Sequence, residues 1–292
     1  MNHQKTTVPN AASSANSRAG SRSHITSKRK NRQKENQERI RNATMEKTAI
    51  STDEMNRLKG LGFLNNKGTD CFSARIITGN GRVTSEQLRK LADIADQYGA
   101  GTVVCTTRLT VEMPGIPYEK IQDFSNALTE AGMETGGTGP KVRPVVSCKG
   151  TTCKFGQIDT YAISEEIHER FYKGYHNVTL PHKFKIAVGG CPNNCVKPNL
   201  NDVGIMGWRG GYKIFLGGRW GRQHAIARPM DRHFTDKEEV MQIIEKAILL
   251  FRDRGEKGER FSQMIERIGF EAVEKMLLSD DLLVRKTEIL QA

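Results

Sequence analysis

The chain has 292 residues, 37% hydrophobic and 27% charged, long enough to bury a core as one large domain or two smaller ones. It has no run of eighteen apolar residues and no apolar secretory core, so a membrane-spanning helix is excluded and a cytoplasmic location is expected. Six cysteines in such a chain point to metal binding before disulfides.

A net charge of +12 raises the question of nucleic acid, but the charge is unevenly spread. Residues 1–44 hold ten Lys or Arg against Glu35 and Glu38, so eight of the net charges lie there and four remain for everything after. With only Val8, Ile25 and Ile40 as large aliphatics, residues 1–45 are expected to form a disordered basic extension. A nucleic-acid arm, a transit peptide and a dispensable stretch ahead of Met45 all fit that composition. The rest is only mildly basic, and its charge could serve an anionic cofactor and substrate as well as a polynucleotide.

In chain order, a short helix is expected to end near Gly60-Leu61-Gly62, followed by a strand over 72–78 and a turn at Gly79-Asn80-Gly81. Thr84 and Gln87 form a capping box for a helix that presents Leu88, Leu91, Ala95 and Tyr98 on one face. Strands over 101–105 and 109–113 precede a helix over 117–131 that buries Ile121, Phe124 and Leu128. Cys71 and Cys105 fall in strand patterns and read as buried thiols. The order β-α-β-β-α over 46–135 suits an α+β unit. A Gly-rich, linker-like stretch from Gly136 leads into a second unit, 136–292. Its elements are strands over 142–147 and 184–188, a helix over 158–172 and a hairpin around Gly210-Gly211. Its C-terminal third is helical, with Thr235 and Glu238 as a capping box and Val240, Ile243, Ile244, Ala247, Ile248 and Phe251 recurring at helical spacing.

Cys148 and Cys153 have four residues between them, Cys191 and Cys195 three, the latter pair on a turn shaped by Pro192 and the paired asparagines. Structural zinc sites usually pair cysteines across two residues, whereas wider spacing suits a four-iron cubane ligated at separated corners. An iron–sulfur cluster therefore leads, with zinc or structural thiols as the alternatives. Strand alternation puts Lys183 and Lys185 on one side, just upstream of Cys191. Arg75, Arg108 and Arg143 also stand in strand-like, apolar surroundings, where cations need partners. Such a set implies an anionic ligand rich in carboxylates, or an oxyanion substrate.

Cys148–Cys153 with Cys191-Pro192-Asn193-Asn194-Cys195 resembles the cluster motif of sulfite and nitrite reductases that couple sirohaem to a [4Fe–4S] cluster. Ser73-Ala74-Arg75, Gly81-Arg82-Val83-Thr84, Thr106-Thr107-Arg108 and Gly115-Ile116 are similar to that family's ferredoxin-like half domain. Leu180-Pro181-His182-Lys183-Phe184-Lys185 looks like its active-site lysine segment. The resemblance spans roughly residues 72–220. It implies a ferredoxin-like half domain followed by an α/β domain that binds sirohaem and a [4Fe–4S] cluster. It also implies cluster ligation by Cys148, Cys153, Cys191 and Cys195, with Cys195 shared with the sirohaem iron. Arg108 matches an arginine near the cofactor carboxylates, and Arg75, Arg143, Lys183 and Lys185 match residues that bind and protonate the anion.

By that likeness the expected reaction is six-electron reduction of sulfite to sulfide. Nitrite is the alternative, disfavoured because plant-type nitrite reductases tend to carry asparagine where Lys185 stands. The first cysteine pair is one residue tighter than the commonest family pattern, and the chain carries one copy of a unit that larger relatives carry twice. It thus looks like the small, single-repeat sulfite reductases. A single repeat leaves open a homodimer that shares its sites. No flavin or dinucleotide motif is present, so electrons are expected from a separate ferredoxin-like protein or reductase subunit. A zinc-site nucleic-acid-binding protein with a basic arm is the competing class.

Overall fold

A computed structural model describes residues 50–292 and, ahead of them, only Asn31, Lys34, Glu35 and Glu38. Those four are helical and exposed. The rest of the basic extension, with its suggested roles, lies outside the described residues.

Helix α1 (Thr52–Gly60) starts where the Ser51 hydroxyl accepts the Glu54 N–H at 3.2 Å. It feeds a strand that the sequence did not reveal, β1 (Phe63–Asn65), paired antiparallel with β2 (Cys71–Ile76). Helix α2 (Ser85–Tyr98) opens on the reciprocal Thr84–Gln87 capping box that the spacing predicts. Its buried face is Leu91, Ile94 and Ala95. Leu88 lies on the same stripe but is 51% exposed. Strand β3 is only Val104–Cys105, and it lies at the sheet edge. Cys105 is therefore exposed, against expectation, while Cys71 is buried. Strand β4 (Val111–Pro117) begins two residues later than expected, since Leu109 turns the chain with φ 60°. A 3-10 turn then leads into α3 (Ile121–Glu130), which buries Phe124 and Leu128. The antiparallel sheet runs β1-β2-β4-β3, with α2 and α3 packed on β4 and on each other.

The second sheet runs β5-β6-β7-β8-β9, formed by Val146–Ser147, Ile186–Gly189, Val203–Trp208, Gly211–Leu216 and Arg228–Pro229. β5, β6 and β7 are parallel, and β8 and β9 are antiparallel to their neighbours. The strand expected over 142–147 is shorter because Val142 joins only through one bridge to Phe184. Helix α4 (Thr160–Ile167) continues as a π-helical segment, His168–Lys173. The Gly-rich stretch read as a linker is instead packed inside, with Gly136, Gly137 and Thr138 all buried.

Helix α5 (Lys237–Arg254) buries every apolar residue that its periodicity marks, but its cap is Asp236, not Thr235. The Asp236 carboxylate, one residue closer, accepts the Glu238 N–H at 3.0 Å. Short helices α6 (Phe261–Ile268), α7 (Phe270–Leu278), α8 (Asp281–Val284) and α9 (Lys286–Gln291) complete a core shared with the second sheet.

Candidate active site

Parallel strands β5 and β6 leave the sheet at the same end, in the register Ser147 to Val188. Crevices beyond the carboxyl ends of parallel strands are the usual ligand sites of such sheets. Cys148 leaves β5 there, its N–H donating to the Val188 carbonyl at 3.1 Å, and Cys191 follows β6 after Gly189-Gly190. The two loops touch: Gly190 N–H donates to the Cys148 sulfur at 3.1 Å, and Gln157 N–H donates to the Gly190 carbonyl at 2.8 Å. Gly190 is required here, since a Cβ on it would lie 2.8 Å from the Gly150 Cα.

The second cysteine loop is a compact turn. Asn194 and Lys197 take positive φ, 56° and 51°, and the Asn194 side-chain amide donates to Asn199 Oδ1 at 2.9 Å. Asn is among the residues that tolerate this conformation. Cys148, Cys153 and Cys191 are half-buried, and Cys195 is exposed.

The five cations named from the sequence meet around the same region. Phe184 is fully buried against Phe251 and Phe261, so its neighbours Lys183 and Lys185 turn the other way. Arg143 is fixed behind them by its N–H donating to the Phe184 carbonyl at 2.8 Å. Arg75 and Arg143 both donate to the Gly137 carbonyl. Arg75 also has a carboxylate partner, Glu112, at 2.5 Å, directly opposite it in the β2–β4 pairing. Expecting every one of these arginines to await a ligand was therefore too broad. Arg108 donates to Asn201 Oδ1 at 3.1 Å and to the Pro144 carbonyl at 2.6 Å.

An open cavity of about 480 Å³ is lined by Arg108, Lys185, Cys195, Lys197, Asn201 and Trp220, among others. Burial, and then the neighbouring Arg108 and Arg260 charges, push the Lys185 ammonium down to about 8. Burial, Arg260 and Arg143 lower Lys183 in the same way. Arg108 and Arg143 are each pushed to about 10, by burial first and like charges next, which leaves them cationic at neutral pH. Cations that depress one another share one field, and an anion placed in it would be stabilised by all of them.

Sequence reasoning missed the group that holds this field together. Asp202, fully buried, accepts two bonds from Arg260 Nη2, both at 3.1 Å, and the Lys185 N–H at 2.8 Å. Burial raises the Asp202 carboxyl while the Arg260 guanidinium opposes the rise. Trp220, in the cavity wall, carries no periodic or motif signal in the sequence that would mark it.

The residues fit an anionic, metal-bearing cofactor. Among the described residues, no three His, Cys, Asp or Glu side chains converge closely enough to hold a single ion. The four thiols are thus not a preformed zinc tetrahedron, while two cysteine loops in contact suit a larger cluster. The Nε atoms of Arg108, Arg143 and Arg260 are buried with no hydrogen-bond partner, donors that an anion could satisfy.

The family model for the nitrite and sulphite reductase 4Fe-4S domain matches residues 138–282, and that for the nitrite/sulfite reductase ferredoxin-like half domain matches 65–131. The chain belongs to the nitrite and sulfite reductase family, oxidoreductases that use sirohaem and a [4Fe–4S] cluster. It is 30% identical over 199 residues to nitrite reductase [NAD(P)H] of Bacillus subtilis, covering 68% of this chain and 24% of that one. It is 26% identical over 245 residues to coenzyme F420-dependent sulfite reductase of Methanocaldococcus jannaschii, covering 63% and 38%. The chain thus spans well under two thirds of these relatives. In fold it is similar to the Mycobacterium tuberculosis NirA protein, with a TM-score of 0.70 at 21% identity over 87% of this chain and 50% of that one. Among the described residues no helix is long and apolar enough to cross a membrane.

Proposed function

We propose that this chain reduces sulfite to sulfide at a sirohaem iron coupled to a [4Fe–4S] cluster, and that the sequence divides at about 45 and 135 into the extension, half domain and cofactor domain. The observation that carries the reading is that Cys195, Lys185 and Arg108 line one cavity within a wider field of cations. Cys148, Cys153, Cys191 and Cys195 would hold the cluster, with Cys195 shared with the sirohaem and Arg108 facing the cofactor carboxylates. The bound cofactors supply electrons and the iron at which the anion binds.

The protein's own part is electrostatic and protic. Arg143, rigid and cationic at neutral pH, suits an oxyanion clamp, and Arg75, paired with Glu112, orients beside it. Lys185, with its ammonium near neutrality, can donate a proton and recover one from solvent. Lys183 supplies the second. One chain brings cysteine, lysine and arginine to one cavity, which favours a self-contained site over one shared across a homodimer. A separate protein would deliver the electrons.

Nitrite reduction is the second reading, because the Bacillus subtilis relative carries that activity in its name. Steady-state kinetics with a chemically reduced dye and each anion test the choice. Sulfite is expected to give the higher kcat/KM, and Lys185→Asn to lower sulfite turnover more than nitrite turnover. Nitrite reduced far faster than sulfite would replace this reading with the second.

A further inference from the structure

Tyr172 has no part in the chemistry above, yet its hydroxyl reaches both candidate substrate arginines through one residue, Gly137. It lies in the π-helical segment, and such segments often mark functional sites because they re-aim side chains. Its ring stacks on His168 with centroids 4.9 Å apart. Its hydroxyl, in buried surroundings, accepts the Gly137 N–H at 3.0 Å. The carbonyl of that same Gly137 accepts from Arg75 and from Arg143.

Two glycines make this junction feasible. A Cβ on Gly136 would lie 2.4 Å from the Tyr172 hydroxyl oxygen, so any side chain there would evict it. Gly137 holds φ +71°, and a Cβ on it would lie 2.8 Å from Pro144 Cγ and 3.3 Å from Arg75 Cδ. The backbone is thus held in a conformation open to glycine, with its carbonyl turned toward two guanidinium groups. Those groups repel each other, and a shared acceptor with a fixed direction offsets that repulsion.

We propose that Tyr172 is a positioning residue for the oxyanion clamp: its hydroxyl anchors Gly137 at its N–H, and the carbonyl of the same residue, one peptide plane on, sets the spacing of Arg75 and Arg143. The inference rests on the reading that these arginines face the substrate anion. The role of Tyr172 is to act through Gly137 rather than by contact with the anion.

In the holoprotein, Tyr172→Phe keeps the ring and removes one oxygen. Sulfite affinity by isothermal titration calorimetry is expected to fall about two- to ten-fold, the range of one neutral hydrogen bond. KM for sulfite should rise by a similar factor with a smaller change in kcat. In an Arg143→Ala background the same substitution should weaken binding further by less than about two-fold, since coupled residues are not additive. Binding unchanged by Tyr172→Phe, or weakened equally in both backgrounds, would overturn the positioning role alone. A wild-type holoprotein that neither binds nor reduces sulfite or nitrite would overturn the reading of the arginines and this role with it.

Discussion

At the scale of single residues, Lys183-Phe184-Lys185 shows how far a sequence can place a site. Alternation alone sends the two lysines one way and the phenylalanine the other, and the buried contacts of Phe184 with Phe251 at 5.8 Å and Phe261 at 5.1 Å fix that choice. What alternation could not give is the charge state. Burial first, then Arg108 and Arg260, bring Lys185 down to about 8. Above that pH the free site loses a positive charge, so kcat/KM for sulfite is expected to fall as pH rises through 8. Lys185→Arg should move that limb to higher pH; a limb that stays in place would assign it to another group. The linked stability has the opposite slope. The unfolded lysine titrates near 10.4, so between about 8 and 10.4 the unfolded state holds more protons and Lys185 contributes rising stability across that window.

Residues that act through a partner were the ones hidden from the sequence. Asp202 sits in a polar stretch between the second cysteine pair and a hairpin, and Arg260 caps a helix after Gly255, far along the chain. Neither position carries a periodic pattern, so only the fold brings them together. Tyr172 and Gly137 were likewise read as a helix end and a linker.

At the scale of elements, long apolar periodicities were legible and short pieces were not. Helix α5 buries Val240, Ile243, Ile244, Ala247, Ile248 and Phe251 as their spacing demands. The three-residue strand β1 and the two-residue strands β3 and β5 are too short to show a period, and their pairing comes from neighbours. One link that ties the C-terminal helices to the site is the Arg260–Asp202 pair, whose side chains are 4% and 0% exposed. Removing one member strands a buried charge, so Arg260→Ala is expected to cost about 3–5 kcal/mol in chemical denaturation. It should also disturb Lys185, whose N–H donates to Asp202. A loss below about 1 kcal/mol, near the value of an exposed pair, would show that the buried charge finds other compensation.

At the scale of the whole molecule, the charge map explains why nucleic acid was the weaker reading. Most of the excess of +12 lies ahead of residue 45. In the described part, Arg108, Lys185 and Lys197 line a cavity shared with Cys195. The zinc alternative rested on the same four cysteines, and the cofactor site is where the two accounts part. Anaerobic purification followed by a UV–visible spectrum with iron, sulfide and zinc analysis decides between them most directly. The account predicts sirohaem bands with about four non-haem irons and matching acid-labile sulfide per chain, the content of one cubane. Colourless protein carrying one zinc and no sulfide would contradict it.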